Sequence, residues 1–199
     1  MKRLAVLASG RGSNLQAIID AVRAGELALE IVGAASDQPG AQALARAAVA
    51  GIPTAAFPRA QYGSRAEQEA ALLAWLTSLR VDIVALAGYM RILSARFIQE
   101  LGCPILNIHP SLLPAFPGLN AQRQALDYGV RVSGCTVHFV DEGVDSGPII
   151  LQEAVPVFPD DTVESLSERI LKVEHRVYPQ ALKMVAEGLV RPERRCGRG

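Results

Sequence analysis

The sequence predicts an α/β fold, a doubly wound and mostly parallel sheet with an antiparallel strand in its C-terminal half. Three observations predict it. Through the first half, short and near-continuously apolar runs alternate with longer amphipathic ones, the pattern of βαβ units whose strands are covered on both faces. The first apolar run passes straight into a glycine loop, Ser9-Gly10-Arg11-Gly12-Ser13-Asn14. After a proline-rich stretch, two further apolar runs separated by a short loop could pair antiparallel. At 199 residues the chain suits one such domain, with a core burying about 70% of its unfolded surface.

Taken in order, the strand candidates are Arg3 to Ala8, Ile31 to Ser36, Thr54 to Phe57, Ile83 to Ala87 and Ile105 to Ile108. Helices fill the gaps between them. Ser13 or Asn14 is positioned to cap a helix running to about Ala24, and Gly25 to close it. Gly51 ends a helix over Ala41 to Ala50, and Ser64 starts one that ends near Leu79. Beyond His109, Pro110-Ser111-Leu112-Leu113-Pro114-Ala115-Phe116-Pro117-Gly118 is neither helix nor interior strand, so a shaped loop must follow the fifth strand. A helix around Asn120 to Tyr128 comes next, then strands Gly134 to Val140 and Ile149 to Val157. Asp161-Thr162-Val163-Glu164 offers a capping box for a last helix that Pro179 kinks or restarts and Gly188 ends. We therefore expect a single domain over residues 1–190. Its N-terminal, phosphate-binding half covers about 1–100 and its C-terminal half about 101–190, and a polar, basic tail at 191–199 is expected to be disordered.

Composition removes several classes of function. Twenty Lys and Arg balance twenty Asp and Glu, so no overall basic field draws the chain to nucleic acid or anionic lipid. No segment approaches the roughly 18 consecutive apolar residues of a spanning helix, and the N-terminal run lacks a signal peptide's cleavage site. Cys103, Cys135 and Cys196 form no C-x-x-C pair and no metal-ligand spacing. The expectation is a soluble, cytoplasmic protein without disulfides or metal.

Two groups of residues carry chemistry. In the loop between the first strand and helix, backbone N–H groups and the positive end of a helix converge on an anion. Leu15 stands where a dinucleotide fingerprint needs its third glycine, and the lysine of a P-loop is missing. Asp37, after the second strand, is therefore only a weak candidate for a ribose hydroxyl, and a small phosphorylated ligand is preferred over NAD. The plainer reading is that Gly10 and Gly12 make a tight turn. The second group is Asn107-Ile108-His109-Pro110, at the carboxyl end of a strand, where open α/β sheets place ligands. Residues two apart share a face, so Asn107 and His109 can meet one substrate atom. An amide beside an imidazolium can stabilise an oxyanion and move a proton at a carbonyl. The third partner is a carboxylate from Asp141-Glu142-Gly143-Val144-Asp145-Ser146-Gly147, where spacing leaves Asp141, Glu142 and Asp145 open. Such a carboxylate favours the protonated imidazole near neutral pH. His138, in an alternating strand, could be buried or line the site, with a structural role the safer reading, and His175 reads as helix packing.

Four segments together resemble the phosphoribosylglycinamide formyltransferase family, also called glycinamide ribonucleotide transformylases. They are Ser9 to Ile18, Ala87 to Leu93, Leu106 to Pro114 and Val144 to Ile150, in order along nearly the whole chain. The resemblance implies a Rossmann-like fold and formyl transfer from 10-formyltetrahydrofolate, as co-substrate, to the amine of glycinamide ribonucleotide in purine biosynthesis. It implies Asn107, His109 and Asp145 as the catalytic trio. Gly12, Ser13 and Asn14 would bind the substrate phosphate and Glu174 the ribose hydroxyls. Met90, Arg91, Ile92 and Leu93, with Val140, Asp141, Glu142, Gly143 and Val144, would line the folate pocket, and Arg65 would meet the anionic glutamate tail. Asn120, Gln122 and Ser146 depart from residues frequent in the family. Small-molecule partners and a monomer or homodimer are expected. The alternatives are a hydrolase of 10-formyltetrahydrofolate and a non-catalytic nucleotide-binding sensor. Methionyl-tRNA formyltransferase resembles the same core but carries an additional C-terminal domain for tRNA, a partner that the zero net charge disfavours.

Overall fold

The structure is a computed structural model that describes residues 1–192. It divides the chain into two compact units, Met1–Asn107 and Ile108–Gly199. The expected disorder at residues 193–199, and Cys196 with it, lies outside the described residues; Arg191 and Pro192 are exposed and irregular.

The first unit alternates strand and helix, as the apolar periodicity predicts. Its elements are β1 (Lys2–Leu7), α1 (Ser13–Arg23), β2 (Leu29–Ser36), α2 (Gln42–Val49), β3 (Thr54–Ala56), α3 (Arg65–Ser78), β4 (Ile83–Leu86), α4 (Ala95–Leu101) and β5 (Ile105–His109), which ends just beyond the unit. All their pairings are parallel: β1 with β2 and β4, β2 with β3, β4 with β5. β1 is therefore central and wholly apolar from Leu4 to Ala8, each residue at most 1% exposed. The chain winds outward from β1 to β3 and then crosses back to add β4 on the other side. The crevice beyond the carboxyl ends of β1 and β4 is thus the switch point where such sheets take ligands. In β2, Gly33 makes room for α3, since a Cβ there would lie 2.7 Å from the Trp75 and Leu79 side chains.

The second unit is built on β6 (Val132–Phe139) and β7 (Ile149–Pro156), which pair antiparallel with a bulge between Val137 and His138. β6 does not alternate as its sequence suggested; it is buried continuously from Ser133. α5 (Ala121–Tyr128) precedes the hairpin, and α6 (Val163–Ala186) packs along both strands.

Two local expectations are corrected. Neither Ser13 nor Asn14 caps α1: the cap residue is Gly12, in the left-handed region at φ 70°, with no side-chain bond to the first turn. A Cβ on Gly12 would sit 2.6 Å from Ala43 Cα, so close packing of α2 dictates the residue and leaves the helix's amide end uncapped by a side chain. At α6 the cap is Thr162, but its reciprocal partner is Ser165 rather than Glu164. Asp161 instead accepts from the Ser165 hydroxyl and from both terminal nitrogens of Arg169. The helix runs unbroken through Pro179.

Candidate active site

β5 ends on Asn107, half-buried, and His109, only 5% exposed. The proline-rich loop then folds back over the histidine. Its peptide between Leu113 and Pro114 is cis. The fully buried Thr136 of β6 fastens it, donating to Ser111 O at 2.7 Å and accepting from Leu113 N at 3.0 Å. Gln152 of β7 donates to Leu113 O at 2.8 Å and to Thr136 Oγ1 at 3.0 Å. Held this way, the loop turns at Phe116, φ 53°, and presents that residue's carbonyl 2.8 Å from His109 Nε2.

The other ring nitrogen meets a carboxylate. His109 Nδ1 lies 3.3 Å from Asp145 Oδ2, which also accepts from Gly118 N at 2.8 Å. His109 thus has an acceptor at each nitrogen, a pattern met in full only when both nitrogens carry protons. Asp145 is a non-glycine residue at φ 51°, a conformation Asp tolerates better than most residues and one that persists where surroundings impose it. Its second oxygen lies 3.6 Å from Nε2 of the buried His138, whose Nδ1 donates to Phe139 O at 2.8 Å. Burial pushes the Asp145 carboxyl up. The His138 ring, the Gly118 N–H and the charge on His109 together outweigh it and hold the carboxyl below the usual range. Of the three acidic candidates left open by the sequence, Asp145 is the one beside His109. Asp141 is engaged within its own loop, accepting from Gly143 N and Ser146 Oγ, and Glu142 is exposed.

In the first unit, Gly12 and Asn14 are buried and Ser13 half-buried at the start of α1. Ala43 N donates to Gly10 O and Arg46 Nε to Arg11 O, so α2 braces this loop. After β4, Met90 and Ile92 are 65% and 61% exposed, whereas Leu93 is buried. Arg65 is exposed but directed, donating to Ile92 O at 2.5 Å and pairing with Glu69 at 3.0 Å. Asp37 is not open to a ribose: its carboxylate already accepts from Ser9 Oγ and Arg91 Nε. In the second unit Glu174 is buried on α6, and Val140, Gly143 and Val144 belong to the hairpin loop, Val140 half-buried and the other two exposed. Among the described residues no group of three or more His, Cys, Asp or Glu side chains is arranged to hold a metal ion.

Residues 2–182 match the model of the formyl transferase family. The chain belongs to that family. Among its formyl transferase relatives, it is 45% identical over 191 residues to a phosphoribosylglycinamide formyltransferase of Haemophilus influenzae, covering 96% of this chain and 90% of that protein. It is 52% identical over 196 residues to a trifunctional purine biosynthetic protein, adenosine-3, of Drosophila melanogaster. That match covers 96% of this chain but 14% of the larger protein. Among solved structures, glycinamide ribonucleotide transformylase 1 from Symbiobacterium toebii superposes with a TM-score of 0.95 at 53% identity, covering 98% of this chain and 92% of that one.

The sequence left His138 open between packing and lining the site, and did not show that it neighbours Asp145. Strand periodicity favoured packing, and the bulge that accompanies it has no residue signature. The Phe116 carbonyl was equally invisible, because a backbone acceptor carries no residue type.

Proposed function

We propose that the chain transfers a formyl group from 10-formyltetrahydrofolate to the amine of glycinamide ribonucleotide, giving formylglycinamide ribonucleotide and tetrahydrofolate. The observation that carries this reading is the buried His109 with the Asp145 carboxylate at its Nδ1, in a formyl transferase fold. The ribonucleotide amine attacks the formyl carbon, and the tetrahedral oxyanion is held by the Asn107 amide and protonated His109. For His109 to reach that oxygen, the Phe116 carbonyl gives up its bond to Nε2. Asp145 keeps the imidazole charged and oriented, and the proton lost by the amine reaches the departing N10 through His109 or a water. Neither Asn107 nor His109 acts as a nucleophile, so no covalent enzyme intermediate forms.

Binding follows from the same residues. The uncapped amide end of α1, with Gly12, Ser13 and Asn14, takes the phosphate, and Glu174 takes the ribose hydroxyls. Met90 to Leu93 and Val140 to Val144 line the folate site, with the exposed face of Arg65 toward the glutamate tail. The site belongs to one domain over residues 1–190, working in the cytoplasm as a monomer or homodimer. The test is incubation with both substrates while following tetrahydrofolate. Release that depends on the ribonucleotide supports transfer; release without it reveals a hydrolase, and binding without release a sensor.

A further inference from the structure

Asp37 follows β2 and is 3% exposed, a carboxylate with no part in the chemistry above. Both of its oxygens are taken by residues from the two segments that flank the β1/β4 switch point. Oδ1 accepts from Ser9 Oγ at 2.5 Å, and Ser9 begins the loop that leads into α1. Oδ2 accepts from Arg91 Nε at 3.0 Å, and more distantly from Gln38 Nε2 at 3.3 Å. The same Ser9 hydroxyl accepts from Met90 N at 2.8 Å, while Ser9 N donates to Gly88 O at 3.0 Å. A continuous relay therefore runs from Met90 N–H through the Ser9 hydroxyl to Asp37 and on to Arg91. Tyr89, inside the fastened segment, has its hydroxyl pushed up to about 12 by burial and then by the negative charge of Asp37.

A buried carboxylate is costly to desolvate unless it is paired and hydrogen-bonded, and Asp37 meets that condition only while Ser9 and Arg91 both stay in place. Moving the Arg91 segment alone strands the carboxylate's charge, and moving the Ser9 loop alone leaves one of its buried oxygens without its hydrogen bond. We propose that Asp37 is a positioning residue that fastens the loop after β1 to the segment after β4, so that ordering either one by its ligand orders the other. The inference rests on the proposed function, in which residues 12–14 take the ribonucleotide phosphate and 90–93 the folate. Ordering shared by two sites is a coupling free energy between their ligands, and it is reciprocal.

The test measures binding of glycinamide ribonucleotide by calorimetry, with and without saturating tetrahydrofolate, and the reverse titration, on the full chain. Tetrahydrofolate carries no formyl group, so nothing turns over. In the unaltered protein each ligand tightens the other by about 5-fold or more. Asp37→Asn keeps the shape but loses the charge that holds Arg91, and Ser9→Ala cuts the relay while leaving the Asp37–Arg91 pair. Both bring the factor to about 2-fold or less in protein whose thermal unfolding remains cooperative. A purely structural Asp37 would lower the melting temperature and leave the factor intact. If Asp37→Asn fails to fold, Ser9→Ala decides alone. A wild-type factor near one, or a folded variant keeping the full factor, overturns the fastening role even when the unaltered enzyme turns over. Wild-type protein that binds neither ligand overturns the functional reading and this inference with it.

Discussion

His109 sits between two fixed acceptors, Asp145 Oδ2 and the Phe116 carbonyl, and its surroundings define what each substitution removes. His109→Ala takes away the proton carrier and one oxyanion donor, and is expected to lower kcat by about 10² to 10⁴. Asn107→Ala removes one amide donor and costs about 10² to 10³; single-turnover rates check both, and near-normal rates would count against the assignment. His138 gives a subtler prediction. It helps hold the Asp145 carboxyl below its usual range, so His138→Phe raises that carboxyl's pKa. Asp145 supports the imidazolium only when ionised, and that support is lost as pH falls through its folded pKa. The acid limb of the kcat/KM profile therefore moves to higher pH in the variant. An unmoved limb would show that His138 serves packing alone. Which carboxylate served His109 was not legible from residues alone, because the choice depends on the left-handed backbone at Asp145 and on the Gly118 N–H.

Elements were legible where both faces are buried. β4 is apolar throughout, and β1 and β5 are apolar apart from Lys2 and Arg3 at the start of one and Asn107 and His109 at the end of the other; each lies within one residue of its expected bounds at either end. α4 was not named in advance, although Ser94 caps it and Gly102 closes it in the left-handed region; those two residues were the readable signal. The cap of α1 was illegible for a different reason, since the residue that fixes Gly12 is Ala43, 31 positions along the chain. That contact makes a prediction. Gly12→Ala costs about 1 to 2 kcal/mol for the left-handed backbone, with an added penalty from Ala43. Adding Ala43→Gly removes the Cβ contact at 2.7 Å but leaves the backbone Cα at 2.6 Å and puts a glycine inside α2, so denaturant unfolding should show little or no recovery in the double variant. Ribonucleotide affinity falls with the first change, because α1's amide end shifts. Full recovery of stability would mean that neither the backbone conformation at Gly12 nor the contact with the Ala43 backbone is strained.

At the scale of the whole molecule, composition was informative about class and silent about pH response. A balanced charge and half-apolar composition fit the α/β architecture, and among the described residues no helix is long and apolar enough to cross a membrane. Neither says how stability changes with acid, which depends on single buried groups. His175 on α6 is such a group: its Nε2 is buried without a hydrogen-bond partner, and burial holds its pKa below the ordinary 6.5. In the unfolded chain the same imidazole titrates near 6.5, so on acidification the unfolded state binds its proton first. Stability is then fully present above that value and declines as pH drops below it. The Asp161 carboxyl, by contrast, is held well below its usual range, chiefly by Arg169. Between pH 7.5 and 5 the decline should thus carry a His175 contribution. His175→Gln removes the titrating group and flattens the fall in melting temperature across that interval, whatever its effect on stability at pH 7.5. Melting curves of the two proteins that stay parallel from pH 7.5 to 5 would assign the acid sensitivity to other groups.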